Sequence, residues 1–364
     1  MVTRAWGKPD AATAAVRVAV RRVLAELAPP PAPQSPARAP QADSVVAADG
    51  LTRGDHDADA AAPPLVLVAC SGGADSLALA AATAFEAPPA GVRAGAVVVD
   101  HGLQPDSAHV ADRAAQTLHA LGLDPVEVIR VEVTTDGDGV EAAARTARYR
   151  ALEEATHSHG ATLVLLGHTL DDQAEQVLLG LVRGSGARSL AGMPSARGRF
   201  RRPLLSITRD QCRASSAAQG LTWWDDPMNE DPTFARVRAR RAVADLERDL
   251  GPGVAAALAR TASHLRTDAD HLDAAADAAV SALGGGPWPV EALHGIPAAV
   301  RSRVWRLLLT AAGAPASQVS TRHVEACDAL LTAWRGQGPI HAPGALLVRR
   351  SGSRVSIAPS ALVE

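Results

Sequence analysis

The sequence predicts an α/β fold in which a doubly wound, mostly parallel sheet is followed by a mainly helical C-terminal domain. Between residues 65 and 182, strand-like apolar runs alternate with helical patterns through short connections, as is typical of such a sheet. The runs are also uninterrupted, as in strands buried on both faces. After about residue 215 this alternation stops, and Ala-rich helical patterns replace it.

The predicted elements follow in chain order. An amphipathic helix is expected over 11–27. Apolar runs predict strands at 65–70, 94–99, 126–133 and 162–166, and apolar stripes of helical spacing predict helices at 75–84, 107–121, 140–157 and 170–182. Further helices are expected within 236–283 and 296–335, and the apolar stretches around Ser351-Gly352-Ser353 are compatible with a terminal hairpin.

Composition divides the chain into four segments. An N-terminal helix is predicted over 1–28, where Asp10 and Glu26 favour a helix packed on the domain over a transit peptide. A disordered Pro/Ala-rich insertion is predicted over 29–64, because its eight prolines and polar, acidic sequence offer little apolar surface to bury. The sheet domain is predicted over 65–215 and the mainly helical domain over 216–364.

Composition also excludes several classes of protein. The net charge is −3, and no uncharged apolar run reaches the length of a membrane span. The N-terminus has no long apolar signal region, so the cytoplasm is the expected location. Lys8 is the only lysine, which excludes a Walker-type phosphate loop. The three cysteines, Cys70, Cys212 and Cys327, are too far apart in sequence to predict a zinc or iron–sulfur site.

The motif Ser71-Gly72-Gly73-Ala74-Asp75-Ser76 lies between the first predicted strand and its helix. Adjacent glycines let the backbone approach a ligand closely, and helix N-terminal amides bind anions. The alternative is an ordinary turn in which Asp75 caps the helix. The motif resembles the phosphate loop of the N-type ATP pyrophosphatase (PP-loop) superfamily. This resemblance implies that residues Ser71, Gly72, Gly73, Ala74, Asp75 and Ser76 bind ATP, with Asp75 near a bound Mg²⁺.

Two more polar motifs follow predicted strands. Asp100-His101-Gly102-Leu103 follows the second strand, and the segment from Gly167 to Glu175 follows the fourth. Because ligands bind at the carboxyl ends of parallel strands, we expect all three motifs at one rim. His168, Asp172 and Glu175 share a helix face if the helix begins near His168.

Such a group is either a metal and substrate site or an acid-rich helix start. Beside a phosphate loop we favour the former: Asp172 helps to hold the metal, and Glu175 handles a substrate group or a proton.

The order of the motifs along the chain indicates one family within this superfamily. Glu141 to Tyr149, which includes Arg145 and Arg148, comes between the second and third motifs, and further matching segments follow at 183–186, 190–193, 202–205, 224–229 and 234–240. Together they resemble the tRNA(Ile)-lysidine synthetase family, in a short form, over about residues 65–241. Gln176 and Val237 depart from the family pattern, and the insertion at 29–64 is unusual for it.

The resemblance implies a two-step ligation. ATP adenylates the C2 oxygen of the wobble cytidine in the tRNA(Ile) with anticodon CAU. The ε-amine of free L-lysine then displaces AMP to give lysidine, which changes the specificity from methionine to isoleucine. Arg148, Asp172 and Glu175 are the implied catalytic or substrate-orienting residues. His101 and His168 join the ATP site, and Asp75 and Asp172 hold Mg²⁺. A homodimer is left open.

Two arginine runs, at 197–213 and 236–241, predict contacts with tRNA phosphates despite the acidic net charge. From them we expect tRNA binding by Arg201, Arg202, Arg236, Arg238 and Arg240. For Arg209 and Arg248, a solvated helix face with local carboxylate pairs is the preferred interpretation. One of Trp223 and Trp224 is expected to pack in the core, and the other is a candidate for stacking on a base.

Three other functions are alternatives to this one. A sulfur-transferring tRNA enzyme of the same superfamily would need a pair or cluster of cysteines, which the chain lacks. A small-molecule synthetase is disfavoured by the arginine runs and by the motifs between residues 183 and 240. A non-catalytic tRNA-binding protein is disfavoured because Asp75, Asp172 and Glu175 are all present.

Overall fold

The computed structural model describes residues 9–27, 62–104, 106–134, 139–184 and 186–360, except for the side chain of Glu141. Most of the predicted insertion at 29–64 lies outside the described residues. Among the helices that are described, none has both the length and the apolar character needed to cross a membrane.

The secondary structure alternates between strands and helices in the first half of the chain. Its elements are α1 (Ala11–Leu24), β1 (Leu65–Cys70), α2 (Ala74–Glu86), β2 (Arg93–Asp100), α3 (Ser107–Ala120), β3 (Val126–Arg130), α4 (Val140–Ser158), β4 (Leu163–Leu166) and α5 (Leu170–Val182). The second half contains α6 (Ala187–Leu190), β5 (Ala196–Arg197), β6 (Phe200–Arg201), α7 (Arg209–Ala218), α8 (Ala235–Leu250), α9 (Val254–Leu283), β7 (Trp288–Pro289), α10 (Val290–His294), α11 (Ala298–Ala311), α12 (Thr321–Thr332), β8 (Ile340–Ala342), β9 (Leu346–Ser351) and β10 (Arg354–Pro359).

The first sheet has the strand order β3-β2-β1-β4-β6-β5 among the described residues. All its pairs are parallel except β5 with β6, so the prediction of a mostly parallel α/β sheet is confirmed. In chain order, β1 is the first strand of this sheet, β2 and β3 lie on one side of it, and β4 then lies on its other side. This reversal places the topological switch point between β1 and β4, where open α/β sheets bind their ligands.

Both faces of the sheet are buried, which explains the uninterrupted apolar runs. Along β1, Val66 and Val68 belong to one core cluster, and Leu65 and Leu67 belong to another. Successive strand residues point to opposite faces, so both sets must be apolar. Helix α1 packs against α2 and α7 of the same core.

The chain forms two compact units that divide near residue 260, within α9. Of the described residues, the first unit contains those up to 184 and 192–260, and the second contains 186–191 and 261–360. The predicted boundary at residue 215 therefore lies too early. Residues 216–260 stay with the sheet because α8 packs on α5 and buries Val237, Ala239 and Val243. Helix α1 likewise belongs to the first unit.

The second unit combines helices with a small antiparallel sheet. The predicted terminal hairpin corresponds to β9 and β10, and they extend into a four-stranded sheet of order β7-β10-β9-β8. Strands β7 and β8 are two and three residues long, too short to give a periodic signal. Trp305 is fully buried in this unit's core, and its indole donates a hydrogen bond to Asp328, which also pairs with Arg301.

Gly95 in β2 gives a first testable prediction. A Cβ at this position would lie 2.6 Å from the carbonyl oxygen of Pro125 and 2.9 Å from Leu67 Cδ2. Gly95→Ala should therefore lower the free energy of unfolding by about 1–3 kcal/mol, as overpacking does. Urea unfolding measures the change, with Gly285→Ala as the control because its Cβ meets nothing within 4 Å. Equal losses in the two variants would contradict the close approach.

Candidate active site

A cavity of about 1010 Å³ lies in the first unit at the carboxyl ends of β1, β2 and β4. The three polar motifs that follow these strands all line it, as do side chains from α7 and α8. The switch point between β1 and β4 explains why the first and third motifs are neighbours. The expected common rim is therefore present in the structure.

The first motif folds into a tight turn at the start of α2. Gly72 has φ +80°, a conformation that side chains disfavour, and Gly73 caps the helix. Ser76 Oγ accepts a hydrogen bond from Ser71 N at 3.2 Å and donates one to the Gly73 carbonyl at 2.9 Å. Because Gly73 is the cap, the interpretation of Asp75 as a capping residue is wrong. The helix-start amides and Asp75 Oδ1, which has no hydrogen-bond partner among the described residues, are available to a ligand.

Gly167 brings the third motif against this turn. A Cβ at Gly167 would lie 3.2 Å from Ser76 Cα and 3.4 Å from the carbonyl carbon of Asp75. These are backbone atoms at the start of α2, which have little freedom to move. The absence of a side chain at Gly167 therefore sets the distance between the two motifs.

Helix α5 begins at Leu170, as predicted. For His168, Asp172 and Glu175 to share one helix face, the helix would have to begin two residues earlier, near His168. Thr169 and Asp172 form a capping box in which Asp172 Oδ2 accepts hydrogen bonds from Thr169 N at 2.7 Å and from Thr169 Oγ1 at 3.1 Å. His168 consequently lies in the loop before the helix, so the proposed common helix face with Asp172 and Glu175 is wrong. All three side chains nevertheless remain at the β4 end of the sheet.

An acidic centre forms around one arginine that sequence reasoning assigned to a solvated helix face. Arg209 Nη2 lies 3.0 Å from Asp172 Oδ1 and 3.4 Å from Glu175 Oε1, and Arg209 Nε lies 3.6 Å from Asp75 Oδ2. The Arg209 side chain is only 19% exposed. Arg240 Nε completes the centre at 2.7 Å from Glu175 Oε1.

A signal for Arg209 was present in the sequence. Thr208 and Gln211 form a capping box, which makes Arg209 the first residue of α7, four residues after the matching segment at 202–205. The partners of a side chain at a helix start depend on packing, which no local pattern contains.

Burial and neighbouring charges shift the pKa values of the Asp75 and Asp172 carboxyl groups in opposite directions. Burial raises the pKa of Asp75 to about 6, against the opposing effect of the Arg209 charge, while Asp172 adds to the increase. Burial alone would also raise the pKa of Asp172, but the Arg209 charge and the hydrogen bonds from Thr169 lower it. Asp172 is therefore the more firmly ionised of the two.

Several buried polar atoms that line the cavity lack a hydrogen-bond partner among the described residues. They are Asp75 Oδ1, His101 Nδ1, Arg148 Nε and His168 Nδ1. Burial lowers the pKa of His101, and it lowers the pKa of His168 to about 3; the charge of Arg148 acts in the same direction on both. Both imidazoles are neutral near pH 7. Buried polar groups normally have partners, so unpaired atoms in a cavity indicate ligand positions.

The arginines predicted to bind tRNA occupy different environments. Arg202 is buried and donates to the Pro194 carbonyl at 2.8 Å and to Tyr149 Oη at 3.2 Å, so it forms part of the core and not of an exposed strip. Arg201 is paired with Glu26. Arg240 is committed to Glu175, as described above.

Four other arginines, of which Arg236 and Arg238 were predicted to bind tRNA, lie at the cavity or beside it. Arg236 and Arg241 line the cavity together with Arg213 of α7, and Arg238 is exposed beside them on α8, where it donates to the Pro232 and Thr233 carbonyls. The basic side chains at the cavity therefore come mainly from the first half of α8, and α7 contributes Arg213.

The two tryptophans lie in different environments, as expected. Trp223 packs against the core, and Trp224 lines the cavity. Trp224 N donates to the Gly72 carbonyl at 3.0 Å, and Gln104 Nε2 donates to Asp226 Oδ1 at 2.7 Å. These two bonds hold the segment Trp224–Glu230 over the phosphate-loop turn and beside the second motif.

The donor set is compatible with Mg²⁺ that is bound together with a nucleotide. No group of three or more His, Cys, Asp or Glu side chains within the described ranges could hold a metal alone. Mg²⁺ is commonly bound by one or two carboxylates and by substrate phosphates. Asp75 and Asp172 would supply the carboxylates, and Asp75 Oδ1 has no hydrogen-bond partner within the described chain.

Comparisons with known proteins agree with this site. Residues 55–247 match the model of a PP-loop domain, and residues 289–356 match the model of a TilS substrate binding domain. The first match spans both the phosphate-loop turn and the acidic centre. The second lies within the second unit.

Curated relatives match across both units. The chain is 53% identical over 302 residues to a tRNA(Ile)-lysidine synthase from Thermobifida fusca, covering 82% of this chain and 93% of that protein. It is 50% identical over 366 residues to a tRNA(Ile)-lysidine synthase from Streptomyces coelicolor, covering 96% and 99%. Among solved structures, the U34-tRNA thiolase NcsA from Methanococcus maripaludis is similar at a TM-score of 0.47 and 19% identity, over 56% of this chain and 71% of that one. A likeness of this degree carries no argument about function.

Proposed function

The chain belongs to the tRNA(Ile)-lysidine synthase family, and from this premise we propose how its cavity carries out the reaction. It is a ligase that modifies tRNA by forming lysidine, and its PP-loop domain uses ATP. The predicted family and function are thereby confirmed. One observation carries the proposal: the phosphate-loop turn, Asp75, Asp172 and Arg209 of the acidic centre, and three arginines of α8 line the same cavity.

We assign the triphosphate to the turn after β1. The main-chain amides at the start of α2 face the phosphates, and Ser71 and Ser76 add hydroxyl groups. The neutral imidazoles of His101 and His168 offer unpaired nitrogen atoms to the same ligand. Mg²⁺, held by Asp75 and Asp172 with the phosphates, would neutralise charge on the departing diphosphate.

The first chemical step joins the tRNA to the nucleotide. The C2 oxygen of the wobble cytidine attacks the α-phosphate, the bond between the α- and β-phosphates breaks, and diphosphate leaves. We assign Arg148 to the negative charge that develops on the phosphoryl group. Its buried Nε has no partner among the described residues, and a preorganised cation in a site shielded from water stabilises such charge strongly.

The second step uses free lysine. The ε-amine attacks C2 of the adenylated cytidine, the C2–O bond breaks, and AMP leaves with the oxygen. We assign Glu175 to orient the ammonium group and to take the proton that the amine releases. Glu175 is buried beside Asp172 in the acidic centre, which places a carboxylate close to the position of the phosphates.

Binding of tRNA should depend strongly on salt, because Arg236, Arg238 and Arg241 in the first half of α8 carry it, whereas Arg248 at the far end is paired with Asp245 and Asp249. For about four phosphate contacts, the affinity should fall roughly 100-fold between about 50 mM and about 200 mM salt. Arg241→Gln should lower the slope of log Kd against log salt by about 1. Filter binding at several salt concentrations measures both, and Arg248→Gln serves as the control. A flat response would reject the assignment of tRNA to this surface.

The reaction is tested by incubating the protein with ATP, radiolabelled lysine and a tRNA(Ile) transcript with anticodon CAU, followed by nucleoside analysis. We expect labelled lysidine together with AMP and diphosphate. A transcript with uridine at the wobble position is the control and should stay unlabelled. Label in the control transcript, or AMP formed without tRNA, would contradict the proposed sequence of steps.

Two further expectations remain predictions. Leu181 and Val182 at the end of α5 and Leu250 at the end of α8 are exposed, and a second copy of the chain would cover such apolar side chains in a homodimer. Light scattering measures the mass in solution. The cytoplasmic location is likewise untested, and cell fractionation addresses it.

A further inference from the structure

One guanidinium group connects the two halves of the reaction site. Arg209 reaches Asp75 at the phosphate-loop turn and both Asp172 and Glu175 on α5, at N···O distances between 3.0 and 3.6 Å. In the part of the chain that the structure describes, it is the side chain paired with all three carboxylates. Arg240, in contrast, is paired with Glu175 alone.

The position of this guanidinium conflicts with the ligands assigned above. Mg²⁺ would use oxygens of Asp75 and Asp172, and the lysine ammonium would use Glu175. Arg209 already occupies these carboxylates with a positive charge. A second cation cannot take the same oxygens while the guanidinium remains between them, because like charges at such a distance in a buried site repel strongly.

The geometry allows the side chain to move while its backbone stays fixed. Arg209 N donates to Asp171 Oδ2 at 2.8 Å, and the capping box of Thr208 and Gln211 fixes the start of α7. The guanidinium lies beyond four rotatable bonds and lines the open cavity. It can therefore leave the carboxylates without any change in the helix.

We propose that Arg209 is an internal counter-cation that holds the acidic centre together in the absence of ligands, that the incoming cations displace it, and that its guanidinium then pairs with the ATP phosphates. This proposal rests on the assignment of Mg²⁺ and lysine to the three carboxylates. Arg209 is thus a positioning residue in the free protein and a phosphate ligand in the loaded one. Exchange of partners of this kind would couple nucleotide binding to the opening of the lysine site.

Metal binding in the absence of nucleotide tests the proposal directly. The probe is Mn²⁺ alone, measured by electron paramagnetic resonance on the full chain. Arg209→Gln should bind Mn²⁺ about tenfold more tightly than the unaltered protein, because the competing charge is gone. Arg209→Lys should fall between the two, since a lysine keeps the charge but cannot bridge three carboxylates. Arg248→Gln, an exposed position on α8, should change nothing.

A second measurement separates this role from a structural one. In Arg209→Gln the three close carboxylates lack the Arg209 charge, so the melting temperature should be lower than that of the unaltered protein. Adding Mn²⁺ should raise the melting temperature of the variant by more than it raises that of the unaltered protein. ATP binding without divalent cations should weaken in the same variant, because a phosphate ligand is lost.

Weaker or equal Mn²⁺ binding by Arg209→Gln, or a loss of stability that Mn²⁺ does not restore, would overturn the proposal. Failure of the proposed function would appear elsewhere, as absence of lysidine in the assay with the unaltered protein.

Discussion

Asp172→Ala is expected to lower kcat/KM for lysidine formation by at least about 10²–10³-fold. The carboxylate contacts Arg209 in the acidic centre, and it is one of the two carboxylates assigned to Mg²⁺. Its removal takes away a negative charge that neither His168 nor Glu175 can replace from its own position. The measurement is the rate of AMP release that depends on both lysine and tRNA.

The same substitution has a structural cost that must be separated from the chemical one. Asp172 Oδ2 accepts the hydrogen bond from Thr169 N that caps α5, so alanine should also lower the free energy of unfolding by about 1 kcal/mol. Asp172→Asn keeps an oxygen acceptor for this bond and removes the charge. It should retain most of the stability and still lose the activity. Normal turnover by the asparagine variant would show that the charge is not required.

Gly167→Val is expected to weaken ATP binding at least about 10-fold and to lower turnover about 100-fold, since small displacements of reacting groups have effects of this size. The first carbon of the new side chain would lie 3.2 Å from Ser76 Cα, and the branched carbons beyond it would approach more closely still. The loop after β4 and the phosphate-loop turn would have to separate. Calorimetric titration with ATP measures the loss.

The control for this variant is Gly285→Val, where a Cβ meets no atom within 4 Å. It should bind ATP as the unaltered protein does. Thermal unfolding of both variants shows whether the fold persists. Unchanged ATP affinity in Gly167→Val would mean that the two motifs need not be in contact for nucleotide binding.

Strand connectivity was enough to predict where the three polar motifs of the candidate site lie. Each motif follows a strand, so the rim location of Asp75, His101 and Asp172 followed from the parallel sheet alone. The helix predicted at 170–182 is confirmed as α5, but His168 lies outside it because the pairing of Thr169 with Asp172 makes Leu170 the first helical residue. The domain boundary was misjudged because α8 looks like any amphipathic helix until its partner, α5, is known.

Strand–helix alternation, glycine placement and motif order can be read along the chain, so they were enough to predict the mostly parallel sheet, the phosphate-loop turn and the family. Which charged side chains meet depends instead on tertiary packing. Arg202 is buried and Arg209 bridges three carboxylates, although both belong to the same arginine-rich run. The physical reason is that an ion pair depends on distances between elements far apart in the chain, and these distances are set by how α7 and α8 pack against α5 and the sheet.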